Sequence, residues 1–197
     1  QQVNERFAIT LANIAPPNAI VWIHDYQLQL IPAMLRKQRP DITIGFFLHI
    51  PFPPYELFSR LPWRNEIIDG LLGCDLIGFQ RPKGATNFAA CASQLRQSDI
   101  GENVIHNAGH RTQLGVFPIS IDFAEVEEMA AGRATRKLTS QIRTRLGDPE
   151  VILLGVDRLD YTKGIGLRLR AFGALLESGE LDAERCVMVQ VATPTRE

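Results

Sequence analysis

Residues 18–50 read NAIVWIHDYQLQLIPAMLRKQRPDITIGFFLHI, and the change of pattern along this stretch decides the fold class. Residues 18–23 are a short apolar run closed by His24 and Asp25. Its length and polar flanks predict a buried strand of a parallel sheet. Across residues 27–39, Leu28, Ile31 and Leu35 recur at helical spacing, and Pro40 ends the element. Residues 42–50 are again strand-like and run into Pro51-Phe52-Pro53-Pro54. Three prolines in four positions cannot continue inside a sheet, so the chain must leave as a stiff loop.

The alternation continues outward. Residues 55–61 and 65–72 predict two short helices, the second carrying Ile67, Ile68, Leu71 and Leu72. A strand over 75–79 and a helix over 84–97 follow. Residues 104–106 and 113–117 then flank the turn Asn107-Ala108-Gly109-His110 as a hairpin. This order predicts a mainly parallel α/β sheet with helices on both faces. Residues 123–148 are charged and helical in period, with Leu138, Ile142 and Leu146 four apart, until Gly147-Asp148-Pro149 breaks them. The most hydrophobic strand, 151–156, precedes a loop, a helix over 164–178 and a strand over 186–192. This second βαβ begins after a shift in composition, so two Rossmann-like domains are expected, 1–122 and 123–197. With no initiator Met and an end just past a strand, the chain reads as a fragment in which each domain is incomplete.

Composition narrows the function classes. An apolar content of 45% supports a packed core, and 22% charged residues argue against disorder. With 21 basic and 22 acidic side chains the net charge is −1, which gives no electrostatic reason to expect nucleic acid or an anionic membrane as partner. No apolar run approaches the roughly 20 residues of a membrane span. The start, QQVNERFAIT, lacks the pattern of a signal peptide, so a cytoplasmic location is expected. Cys74, Cys91 and Cys186 are odd in number and sit in apolar surroundings, as buried free thiols of a reducing compartment do. No His/Cys/Asp cluster has ligand spacing, so neither a catalytic metal nor another cofactor is expected.

Ligands of open α/β sheets bind outside the carboxyl ends of the strands. Three polar clusters fall there: His24-Asp25, His49, and residues 157–164, DRLDYTKG. Arg158 and Lys163 stand five residues apart in one loop, just before Gly164 and a helix. A helix N-terminus favours anions, and two added cations make a pocket suited to a diphosphate. The competing reading pairs both with Asp157 and Asp160 as surface charges. His49 is either a satisfied core histidine or a site residue fixed by the prolines after it. Asp25 could accept hydrogen bonds from sugar hydroxyls, cap the helix near Gln27, or both. His106 and His110 belong to the hairpin and are expected to be exposed.

Several familiar chemistries are excluded. No P-loop occurs, and Gly164-Ile165-Gly166 has Leu169 where a dinucleotide fingerprint needs glycine. No G-x-S-x-G elbow is present. Asp25 and Asp160 stand at strand ends, but nothing supplies a glycosidase-like nucleophile and acid.

The runs VWIHDYQLQLIPAMLR (21–36), FFLHIPFPPYELFSRLPWRNEIIDGLLGCDLIGF (46–79) and GVDRLDYTKGI (155–165) resemble signature blocks of the family-20 glycosyltransferases that make trehalose-6-phosphate. FPISID (117–122) and VATPTRE (191–197) fit the same register. The resemblance covers nearly the whole chain and implies a GT-B fold, two Rossmann-like domains facing a cleft. The first domain would be the acceptor side and the second the nucleotide-sugar side. It implies transfer of glucose, with retention, from a nucleotide-glucose such as UDP-glucose to glucose-6-phosphate, without an enzymic nucleophile. Arg158 and Lys163 match the pair that holds the donor diphosphate and its developing charge. Asp25 and His49 match residues lining the sugar site, His49 among the catalytic set, and Arg196 matches an arginine that binds the acceptor's phosphate.

The chain also departs from that pattern. Gln80-Arg81-Pro82-Lys83-Gly84 replaces the more usual His-Thr or Gln-Thr pair, as in actinobacterial-type sequences, in a loop that could touch the acceptor. Ser120 stands where glycine is common. A glucosylglycerol-phosphate synthase and a non-catalytic regulatory homologue are the alternatives. The latter typically loses diphosphate-binding residues that this chain keeps. A homo-oligomer remains open.

Overall fold

The computed structural model describes residues 1–194, and the chain divides after Ser120 into two compact units, the second beginning at Ile121. The first is built on a six-stranded sheet of β1 (Ile20–His24), β2 (Thr43–Leu48), β3 (Leu76–Phe79), β4 (Asp99–Gly101), β5 (Val104–Asn107) and β6 (His110–Val116), in the order β1-β2-β3-β6-β5-β4. The strands β1, β2, β3 and β6 run parallel, while β5 pairs antiparallel with β6 and β4. Helices α1 (Gln2–Ile14), α2 (Ile31–Gln38), α3 (Tyr55–Phe58), α4 (Arg64–Leu71) and α5 (Pro82–Arg96) complete the unit.

The expectation of helices on both faces is corrected here. The crossovers β1→β2→β3→β6 all step the same way across the sheet. Right-handed crossovers stepping one way set their helices on one face; covering both needs a reversal of direction. Accordingly Val21, Ile23, Ile44, Phe46, Ile77 and Phe79 are buried in one cluster with Ile31, Leu35, Ile68, Leu71 and Phe88 of the helices. On the opposite face Ile20 is 79% exposed and Trp22 66%. An open, mostly apolar cavity of about 590 Å³ lies there, lined by Trp22, His24, Phe47, His49, Gly78 and Phe117 among others.

Local chemistry explains where elements differ from the sequence pattern. The helix expected over 27–39 is split into a 3-10 turn, Tyr26–Leu28, and α2. The buried side chain of Asn4 accepts from Leu30 N at 3.1 Å and donates to Gln27 O at 2.8 Å, holding the break open, and Pro32 sits in the first turn of α2, where a missing N–H does no harm. Neither α1 nor β4 was anticipated. Gly70 lets α4 come close to this break, since a Cβ there would lie 2.4 Å from Gln29 O. The hairpin turn has positive φ at both Ala108 and Gly109, as a two-residue turn between twisted strands requires. His110, expected to be exposed, is partly buried and donates from Nε2 to Cys74 O at 2.9 Å. His106 is exposed.

The second unit contains α6 (Phe123–Ala131), α7 (Arg133–Arg145), β7 (Val151–Leu159), α8 (Ile165–Glu177) and β8 (Cys186–Pro194). The single helical stretch expected over 123–148 is interrupted at Gly132, whose extended ψ of 146° ends α6. The side chain of Asp122 caps α6 by accepting from Glu125 N at 3.1 Å. Strands β7 and β8 are parallel, in register from Val151 opposite Cys186 to Leu159 opposite Pro194. All three cysteines are free and buried. Burial pushes the Cys74 thiol well up and the Cys91 thiol up to about 11, so both stay protonated at neutral pH.

Candidate functional site

In the first unit the polar groups gather where β1 and β2 end. Asp25 follows β1 with φ 68° and ψ 168°, a combination that residues other than glycine avoid. Two backbone bonds impose it: Asp25 N donates to Phe47 O at 2.9 Å, and Leu28 N donates to Asp25 O at 3.2 Å. Its side chain makes no helix cap, which corrects that reading. Instead Asp25 Oδ1 is buried and unpartnered, the one such side-chain atom among the described residues. A strained backbone presenting a buried, unsatisfied acceptor is a place for an incoming donor, such as a hydroxyl.

His49 follows β2 and is exposed, so it is no core histidine. Because β1 and β2 pair with His24 opposite Phe47, His49 stands two residues on and on the same face as His24. The two imidazoles stack with centroids 5.3 Å apart at 24°, and His24 Nδ1 lies 3.0 Å from His49 Nε2. Trp22 packs on His24 at 4.4 Å, and Phe47 meets His49 edge-on at 4.9 Å. The loop after His49 is pinned from below. Phe52 is buried against Phe58 and Phe88 at 4.9 and 5.3 Å, and the buried Asn87 donates to Phe52 O at 2.8 Å. The variant run at Gln80 enters α5, with Pro82 in its first turn, and Gln80 Oε1 accepts from Ile119 N at 2.9 Å. Sequence reasoning missed Asn4, Asn87 and the pairing of His24. Only the last left a signal, two histidines at adjacent strand ends.

In the second unit β7 runs three residues past its expected end, so Arg158 stands on the strand, opposite Thr193, and not in a loop. Lys163 closes the 3-10 turn Tyr161–Lys163. Gly164 follows at φ 63°, where its missing Cβ lets the chain turn directly into α8. Asp157 and Asp160 make no direct ion pair with either cation among the described residues, though Lys163 lies close enough to act on both carboxyls and Arg158 on Asp160. Asp157 accepts from Arg168 at 2.8 Å and from Gln190 Nε2 at 3.2 Å. Asp160 accepts from Thr162 N and Thr162 Oγ1, both at 2.9 Å. Those bonds hold each carboxyl below its usual range: Asp157 chiefly through Arg168, and Asp160 chiefly through the Thr162 N–H. Arg158 and Lys163 are exposed and have no ion pair among the described residues. Two exposed cations outside any ion pair stand beside the N-terminus of a 13-residue helix, an arrangement whose charge and free N–H groups favour anions. Arg168 also reaches Lys163 O at 3.4 Å and ties the turn to the network beneath it.

Arg196 lies outside the described residues. Among the described residues no group of three His, Cys, Asp or Glu side chains could hold a metal. Among the described residues no helix is long and apolar enough to cross a membrane.

Parallel α/β units with polar clusters at strand carboxyl ends define a Rossmann-like protein. The chain belongs to glycosyltransferase family 20, whose model matches residues 1–197, and its fold class is GT-B. It is 56% identical over 204 residues to the trehalose-6-phosphate synthase of Mycolicibacterium vanbaalenii, covering 99% of this chain and 42% of that protein. An E. coli structure described as "Trehalose-6-phosphate from E. coli bound with UDP-2-fluoro glucose" is 35% identical with a TM-score of 0.75, over 99% of this chain and 43% of that one. An alpha,alpha-trehalose-phosphate synthase (UDP-forming) from Burkholderia xenovorans, in complex with glucose-6-phosphate, is 31% identical with a TM-score of 0.74 and the same coverage. The chain thus spans less than half the length of the relatives it matches.

Proposed function

We propose that this chain is part of a retaining glucosyltransferase that moves glucose from a nucleotide-glucose, UDP-glucose in the first instance, to glucose-6-phosphate. The products are trehalose-6-phosphate and the nucleoside diphosphate. The observation that carries the reading is the exposed pair Arg158 and Lys163, neither in an ion pair among the described residues, just before α8. Such a pair stabilises charge that grows on a departing diphosphate, and it does so without reorganising during the reaction. The bond from the anomeric carbon to the diphosphate oxygen breaks while the acceptor hydroxyl oxygen bonds to that carbon. The hydroxyl proton passes to the departing phosphate, so no enzymic nucleophile or base is needed. Asp25 and His49 orient sugar hydroxyls, and Arg196 binds the acceptor's phosphate. Positioning then supplies the rest of the rate. The relatives at 56% and 31% identity, one a trehalose-6-phosphate synthase and one UDP-forming and holding glucose-6-phosphate, support this donor and acceptor.

The test uses the complete polypeptide, at the length of its relatives. It is incubated with UDP-, ADP- or GDP-glucose and either glucose-6-phosphate or glycerol-3-phosphate, and both nucleotide release and sugar product are identified. Trehalose-6-phosphate is the expected product. Glucosylglycerol-phosphate would keep the mechanism and replace the acceptor. A folded protein that binds these ligands without turnover would replace the enzyme with a regulatory homologue.

A further inference from the structure

We infer that His24 is a positioning residue for His49, a role that rests on the glucosyl-transfer reading above. The rings touch through His24 Nδ1 and His49 Nε2 at 3.0 Å, and a direct N–H···N contact holds one proton between the two nitrogens. That bond makes the tautomers complementary. If His24 Nδ1–H donates, His49 carries its own proton on Nδ1. If His49 Nε2–H donates, its Nδ1 is a bare acceptor. The remaining nitrogen of His49, Nδ1, is thus a donor in the first arrangement and an acceptor in the second, so the state of His24 sets its role. Orientation is fixed as well, since the rings stack at 24° with Trp22 against His24 and the edge of Phe47 against His49.

The placement follows from the sheet and needs no loop rearrangement. His24 ends β1, and His49 lies one residue beyond β2 on the same face. Both side chains are exposed toward the open cavity, so the contact is not forced by burial. A histidine meant to meet a sugar hydroxyl at a fixed angle needs such a partner, because an unheld exposed imidazole rotates and exchanges tautomers.

Substitutions at His24 separate the hydrogen bond from the packing. His24→Phe keeps a ring for Trp22 and His49 but has no nitrogen. His24→Asn places an amide one bond beyond Cγ, where Nδ1 stood. In the complete polypeptide labelled with 15N-histidine, long-range 1H–15N spectra of wild type should show His49 as one tautomer. The Phe variant should show an average, and the Asn variant should recover the wild-type pattern. Turnover should follow: kcat falls about 10- to 100-fold in the Phe variant, as when the orienting partner of a functional histidine is lost, and KM for nucleotide-glucose stays within about threefold. The Asn variant should regain most of that loss. An active wild type whose Phe variant keeps both the His49 spectrum and kcat within about twofold overturns the inference alone. A wild type that transfers no glucose overturns the functional reading instead, and the positioning role with it.

Discussion

Arg158 and Asp25 carry the sharpest consequences at the scale of single residues. Arg158 is exposed and in no ion pair among the described residues, so Arg158→Ala removes charge ahead of α8 and costs the rest of the unit only its charge interaction with Asp160. Turnover of the complete polypeptide should fall by about 10²–10³ with an unchanged urea midpoint, as when one donor to developing charge is deleted. Activity within a few-fold of wild type would remove this arginine from the donor site. Asp25 should behave in the opposite way. Its φ and ψ lie in a region costing about 1–3 kcal/mol for a non-glycine residue, and Oδ1 is buried without a partner. Asp25→Gly relieves the strain and loses roughly 0.4–1 kcal/mol to the freer unfolded chain, for a net gain of about 1 kcal/mol. A raised urea midpoint together with lost turnover is the expected result; a lowered midpoint would show that no strain is stored there. Sequence reading singled out Arg158, Lys163, Asp25 and His49 because chemistry-bearing types stood out at or just past strand ends. It could not see that Asp157 is already taken by Arg168, because that contact joins residues 11 apart on different elements.

Among the elements, what was legible was what repeats. The strands at 20–24, 43–48, 76–79 and the helix at 165–177 all announced themselves through apolar runs or helical spacing. What was not legible depended on single tertiary bonds: Asn4 splitting the helix after Asp25, or β7 extending to Leu159 because β8 continues beside it. That extension has an energetic consequence. Asp157 sits inside β7, where the hydrogen bond from Arg168 of α8, with help from Gln190 of β8, holds its carboxyl below the usual range. A carboxyl whose folded pKa lies below its unfolded value adds stability that is present above the unfolded value, roughly 4. That contribution is lost as the pH falls through the folded pKa. The second unit should therefore lose stability on acidification below about pH 4. In Arg168→Met that acid dependence should flatten, and urea titrations at pH 6 and pH 3 compare the two slopes. Equal slopes would mean that the Asp157–Arg168 contact does not couple α8 to the strand.

For the molecule as a whole, the two units differ in how much apolar surface they remove from water. The first owns the entire cluster of buried side chains that runs from Ala8 to Leu114. In the second, Pro149, Gly155 and Cys186 are the buried residues among those described, while Leu154, Val156 and Leu167 are each more than 65% exposed. A sheet of two parallel strands cannot enclose a core, and pairs of strands are marginal without a third. The apolar run at 151–156 is largely exposed because burial depends on how many neighbours a strand has, and β7 has one among the described residues. Amide protection should follow this division in the 197-residue chain. Hydrogen exchange near neutral pH should find slow amides in β1, β2, β3 and β6, which open only with the global unfolding of their unit. Those of β7, β8 and α8 should exchange faster by several orders of magnitude, because local opening there exposes little that was buried. Comparable protection across β2 and β7 would show that the second unit draws stability from contacts beyond its own core.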